Sequence, residues 1–123
     1  MSFGMQQAEE FRRLFNIQND GRKARAKSLN LIVEEFRELL EAERCMITGF
    51  KRNEQDCLKE LADLVYVCFQ FADCMDWDLD HALDLVHQSN LSKLDEEGNP
   101  IFREDGKVLK GPHYQPPDLS TCV

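Results

Sequence analysis

LKELADLVYVCFQFA, residues 58–72, is apolar at nearly every position from Leu61 onward. That run is long enough for about three turns of helix. A helix hydrophobic nearly all round is a buried one. Asp63 nevertheless lies inside it, with Glu60 one turn earlier on the same face. A buried carboxylate is costly unless it is paired, hydrogen-bonded or bound to a metal. The positions three and four residues beyond Asp63 hold Tyr66 and Val67, not Lys or Arg. A cation from elsewhere remains available as a partner. Two hard oxygen ligands at this spacing also suit Mg²⁺ or Mn²⁺. Read alone, ExxD is more commonly a surface Asp or one half of an ion pair between helices.

The stretch on the N-terminal side supplies a second acidic face. Lys23 to Glu43 predicts a long helix in which Leu29, Ile32, Val33, Phe36, Leu39 and Leu40 recur with helical period. Glu34, Glu35, Glu38 and Glu41 fall on the other side. Glu34 and Glu38 are like charges at i, i+4, which costs an isolated helix a few tenths of a kcal/mol. A face built only for solubility would alternate Glu with Lys. Arg37 and Arg44 are the basic residues between Glu34 and Phe50, so this strip invites a cation; a solvated face is the alternative.

The remaining segments fall around these two. Gln6 to Asn16 predicts a first helix with Phe11, Leu14 and Phe15 as its apolar stripe, closed by the turn signal Asn19-Asp20-Gly21. The stripe reads as core or dimer packing, or as aromatic rings flanking a nucleobase. Residues 48–53 predict a loop in which Gly49 ends the second helix and Asn53 caps the third. A fourth helix is expected over Leu79 to Ser89, with Trp77 beside its start, packed on the bundle or on a partner chain. From Asn90 onward Gly and Pro punctuate the chain. Ile101-Phe102-Arg103 and Lys107-Val108-Leu109 flank Asp105-Gly106 and predict a small hairpin. Lys93, Arg103, Lys107 and Lys110 make this tail the basic part of the chain. The expected architecture is all-α: an antiparallel four-helix bundle over about residues 5–90 and an extended tail over 91–123, together one domain.

Composition narrows the function. A chain of 123 residues has room for one core, and 42% hydrophobic residues suit a globular fold. A formal net charge of −8 argues against a general nucleic-acid binder. It does not argue against a nucleotide substrate, because divalent cations bridge carboxylates to phosphates. No apolar run approaches a membrane span, and the N-terminal MSFGMQQAEEFRR has no apolar signal core. The expected location is the cytoplasm, of a host cell if the chain is viral. The five cysteines are odd in number and form no CxxC, so neither a disulfide framework nor a zinc site is expected.

The second and third helices are close enough in sequence to be antiparallel neighbours. Their acids would then converge, and so many carboxylates repel one another unless cations sit among them. Mg²⁺ held by carboxylates keeps waters and takes substrate phosphates. A carboxylate with spare capacity can orient an attacking water and take its proton. Lysines of the basic tail can meet the outer phosphates as point charges.

These residues carry a resemblance. Glu34-Glu35-Phe36-Arg37-Glu38 followed by Glu60-Leu61-Ala62-Asp63 resembles the EExxE and ExxD motifs of the MazG-like all-α nucleoside triphosphate pyrophosphohydrolases. His87 to Leu94 and FREDGKVLKGPHYQPPDL, residues 102–119, are similar to the tails of small single-domain phage and bacterial members. The resemblance spans about Leu29 to Leu119. It implies hydrolysis of a nucleoside triphosphate between the α and β phosphates, giving the monophosphate and pyrophosphate. It implies Mg²⁺, with Mn²⁺ able to substitute, and a homodimer or homotetramer whose sites use more than one chain. By motif position, Glu35, Glu38, Glu60 and Asp63 match metal ligands. Glu34 matches the first acid of the motif and a supporting or water-orienting role. Glu34, Glu35 and Glu38 are thus the expected catalytic acids. Asn90 and Lys93 match positions that reach metal or phosphate; otherwise they are a helix cap and a solvated lysine. Phe15 and Lys110 complete the expected substrate contacts. By analogy with phage members, a deoxynucleotide such as dGTP or dCTP is a plausible substrate. Two other readings stand beside this one: a phosphoribosyl-ATP pyrophosphohydrolase with the same motif logic, and a non-enzymatic acidic helical interaction module.

Overall fold

The computed structural model describes residues 3–49 and 53–123. Phe50, Lys51 and Arg52, in the loop expected between the second and third helices, lie outside the described residues, as do Met1 and Ser2. The chain is all-α, and the predicted helices are present: α1 (Phe3–Leu14), α2 (Gly21–Thr48), α3 (Glu54–Cys74) and α4 (Leu79–Leu91), followed by a 3₁₀ turn at Ser120–Cys122. None of the described helices is long and apolar enough to cross a membrane.

Helix ends explain the differences from the expected boundaries. α2 runs past Glu43 because its residues stay helix-compatible until Gly49. Gly49 adopts a left-handed φ of 71° and donates its N–H to the carbonyls of Cys45 and Met46. α3 begins with the reciprocal cap the sequence suggests. Asn53 Oδ1 accepts the Asp56 N–H at 3.1 Å, and Asp56 Oδ2 accepts the Asn53 N–H at 2.9 Å.

The chain forms two compact units, residues 1–78 and 79–123. In the first, α2 and α3 are joined by the short connection 49–53 and pack along each other as an antiparallel hairpin. α1 packs on α3. The contact is close: a Cβ on Gly4 would sit 2.3 Å from the Phe69 ring, so only glycine fits there without moving the ring. Phe11 stacks on Phe15 at 4.6 Å and meets Tyr66 edge-on at 5.6 Å. Trp77 meets Phe71 edge-on at 5.8 Å and keeps 38% of its surface exposed.

The expectation that α3 is buried all round needs correcting for a single chain. The buried apolar residues of this unit are small: Ala8, Ala42, Ala72 and Cys74. Leu58, Leu61 and Val65 on α3 stay exposed, as do Leu29, Val33, Phe36 and Leu40 on α2. Helices α1, α2 and α3 cannot cover that much apolar surface by packing on one another. The cysteines form no disulfide among the described residues, and burial pushes the Cys68 thiol above its usual range, away from reactivity.

In the second unit the tail is tied to α4 by serine hydroxyls one turn apart. Ser89 Oγ donates to the Gln115 carbonyl at 2.7 Å, and the Gln115 N–H donates to Ser92 Oγ at 3.0 Å. The Gly111 backbone approaches the carbonyls of Lys93 and Leu94 so closely that a Cβ would lie 2.5 Å from each oxygen. The predicted hairpin is present as a single antiparallel bridge between Phe102 and Val108. Asp105 closes it by accepting from Arg103 and from the Lys107 N–H. The Arg103 bond first, and the Lys107 bond next, hold the Asp105 carboxyl below its ordinary value of 3.8. A carboxyl depressed by folding stabilises the folded form above its unfolded pKa. That stabilisation is lost as pH falls through the lower folded value. The hairpin is therefore expected to loosen only below about pH 3.8. Amide exchange at Arg103 and Leu109 checks this; protection lost while the pH is still above about 3.8 contradicts it.

Candidate active site

Residues of α2 and α3 that are far apart in sequence meet at one cavity. It has a volume of about 470 Å³ and is lined by Glu34, Glu35, Arg37, Glu38, Lys59, Glu60 and Asp63. Carboxylate oxygens of Glu35, Glu60 and Asp63 lie within 4.8 Å of one another. Glu35 and Glu38 share a face of α2 one turn apart, and Glu60 and Asp63 do the same on α3. The antiparallel hairpin turns these faces toward each other. Glu38 and Glu34 line the cavity but stand outside the 4.8 Å group.

The electrostatics are those of a site short of positive charge. Glu60 is 5% exposed, and Asp63 is half-buried. Burial first, then the charges of Asp63 and Glu60, raise the Glu35 carboxyl above its usual range; Lys59 opposes the shift. Lys59 Nζ lies 2.6 Å from Asp63 Oδ2 and 3.7 Å from Glu60 Oε1. The partner of Asp63 therefore comes from its own helix, four residues earlier. The cation stands one turn before Asp63, whereas the positions three and four residues after it hold Tyr66 and Val67.

Hard oxygen donors that repel one another across a cavity open to solvent fit a divalent ion such as Mg²⁺. The donor set is right in kind: carboxylates alone, with neither sulfur nor imidazole lining the cavity.

Of the other expected residues, Phe15 lies in the first unit and Asn90, Lys93 and Lys110 lie in the second. Phe15 is 66% exposed, stacks on Phe11 and does not line the carboxylate cavity. In the second unit, Asn90 is exposed near the end of α4, and its carbonyl accepts the Lys93 N–H at 3.1 Å. Lys93 itself is half-buried in the turn that follows. Lys110 Nζ sits 4.8 Å above the Tyr114 ring, a cation–π contact.

An all-helical chain that gathers EExxE and ExxD acids at one cavity belongs to the MazG-like all-α nucleoside triphosphate pyrophosphohydrolase superfamily. The narrower assignment comes from sequence comparison. The family model described as phosphoribosyl-ATP pyrophosphohydrolase matches residues 6–90, well over half of the chain, and the chain is a member of that family. It is accordingly a nucleotide pyrophosphohydrolase. No curated protein matches the chain.

Proposed function

We propose that the protein hydrolyses a nucleoside or deoxynucleoside triphosphate between the α and β phosphates in a Mg²⁺-dependent reaction. The products are the nucleoside monophosphate and pyrophosphate. The observation that carries this reading is the convergence of Glu35, Glu60 and Asp63 within 4.8 Å on facing helices. These residues would hold the ion, with Glu38, on the wall of the same cavity, as a further ligand. A bound Mg²⁺ polarises phosphoryl oxygens and makes water a better nucleophile. Glu34, also on the cavity wall, orients the water and takes its proton as the phosphoanhydride bond breaks. For Asn90, Lys93 and Lys110 a role at substrate phosphates rests on the family resemblance alone.

A second reading, hydrolysis of phosphoribosyl-ATP, is favoured by the description of the matching family. The triphosphate is put first because the tail over 102–119 resembles those of small phage and bacterial members and lies beyond the matched residues. Incubation with Mg²⁺ and each common NTP, each common dNTP and phosphoribosyl-ATP, with products resolved by chromatography, decides between them. Monophosphate from a dNTP or NTP supports the first reading. Pyrophosphate released only from phosphoribosyl-ATP replaces it with the second.

The active form is a homodimer or homotetramer in this reading. Leu29, Val33, Phe36 and Leu40 repeat at spacings of four, three and four along α2, the pattern of a helix-packing seam, and each is 44–49% exposed. Leu58, Leu61 and Val65 form a similar exposed row on α3. A second copy of the chain is the occupant that the family resemblance implies. Leu40→Glu puts a charge into that seam and is expected to shift the mass in solution to that of one chain. Sedimentation equilibrium reads the change; a wild-type protein already monomeric at micromolar concentration contradicts the assembly.

A further inference from the structure

Lys59 brings a positive charge onto the acid cluster. Its ammonium bonds Asp63 and lies near Glu60, two of the three acids that converge. The side chain is 67% exposed, so packing does not confine it to this position. Asp63 and Glu60 attract it. We propose that Lys59 is an internal counter-cation of the site: its ammonium neutralises Asp63 and Glu60 while the metal is away, and a divalent ion must displace it to bind. The inference rests on the metal-binding reading of Glu35, Glu60 and Asp63 given above.

Two consequences follow from charge alone. Without metal, the ammonium offsets repulsion among carboxylates that the fold holds together, so it helps α2 and α3 stay packed at this point. When metal arrives, the Lys59–Asp63 pair must break, and the positive charge of Lys59 must leave the acids it neutralised. That cost weakens metal binding. The site therefore loads at higher free metal than its acids alone would require. Substrate phosphates, which add oxygens and negative charge, shift the balance toward the ion.

The test is Mn²⁺ binding to the metal-free full-length protein, followed by the EPR signal of free Mn²⁺, for wild type, Lys59→Met, Lys59→Arg and Glu60→Gln. Lys59→Met is expected to bind Mn²⁺ about three- to tenfold more tightly, the scale of losing one partly exposed ion pair. Lys59→Arg keeps the charge and should stay within about twofold of wild type. Thermal unfolding without metal should begin at lower temperature in Lys59→Met, and the rise on adding Mn²⁺ should be larger than in wild type. Mn²⁺ affinity that is unchanged or weaker in Lys59→Met overturns the proposal. If Glu60→Gln abolishes uptake in that case, the metal site itself stands. A wild-type protein that takes up no Mn²⁺ overturns both.

Discussion

Glu60→Gln is expected to lower turnover by about 10³-fold or more while the chain stays folded. The carboxylate is 5% exposed on α3 and belongs to the group whose oxygens lie within 4.8 Å. The amide keeps the shape of the side chain and removes its charge. A metal's electrostatic stabilisation of a phosphoryl transition state is worth several kcal/mol, and each ~4 kcal/mol is about 10³-fold in rate. The loss should therefore be in kcat, read as pyrophosphate released at saturating nucleotide and Mg²⁺. Stability should move the other way. Without metal, Glu35 and Asp63 each lose a like-charged neighbour, and Lys59 still pairs with Asp63. The melting temperature should hold or rise, while the increase that Mg²⁺ gives wild type should disappear. Activity within tenfold of wild type would remove Glu60 from the site. Wild type and variant both inactive on every nucleotide would favour the acidic interaction module.

The helices and the acid site were legible because each is written locally. Heptad-like apolar spacing, Gly49 and Asn53 mark α2 and α3, and a short connection makes them neighbours, so Glu35, Glu60 and Asp63 could be brought together on paper. Less legible was anything that depends on how much apolar surface a single chain can cover. The run from Leu61 reads as a buried helix, yet Leu61 and Val65, with Leu58 before them, stay exposed, because α1 and α2 do not cover that side of α3. Periodicity tells that a face must be hidden, not what hides it. Lys59 was overlooked for a different reason. Lysine on an apolar helix looks like a solvated residue, and its role appears only when its ammonium is seen on Asp63. The buried ion pair of α1 was also missed, since Arg12 falls in a stretch whose pattern is dominated by Phe11, Leu14 and Phe15.

Arg12→Met should be the most destabilising single change outside the cavity. Arg12 is 4% exposed, and its guanidinium bonds both the turn before α2 and α3. Nε donates to Asn19 Oδ1 at 2.6 Å, Nη2 to the Gln18 carbonyl at 3.2 Å and Nη1 to Gln70 Oε1 at 3.4 Å. Asp73 Oδ2 lies 3.7 Å from Nε and accepts from Asn19 Nδ2 at 2.9 Å. One side chain thus joins α1, the turn before α2, and α3. Methionine fills much of the volume but strands Asp73 without its cation and Gln70 without its donor. Breaking a buried pair by removing one partner costs about 3–5 kcal/mol, and the 18% exposure of Asp73 brings this to roughly 2–4. Against a total stability of about 5–15 kcal/mol, that is a large fraction, and a fall of roughly 10 °C in melting temperature is expected. Adding Asp73→Asn to Arg12→Met should recover part of the loss, because the stranded charge is then gone. Turnover at low temperature should stay near wild type, since Arg12 does not line the carboxylate cavity. A melting temperature within about 2 °C of wild type, a change of well under 1 kcal/mol, would show that the network holds nothing together.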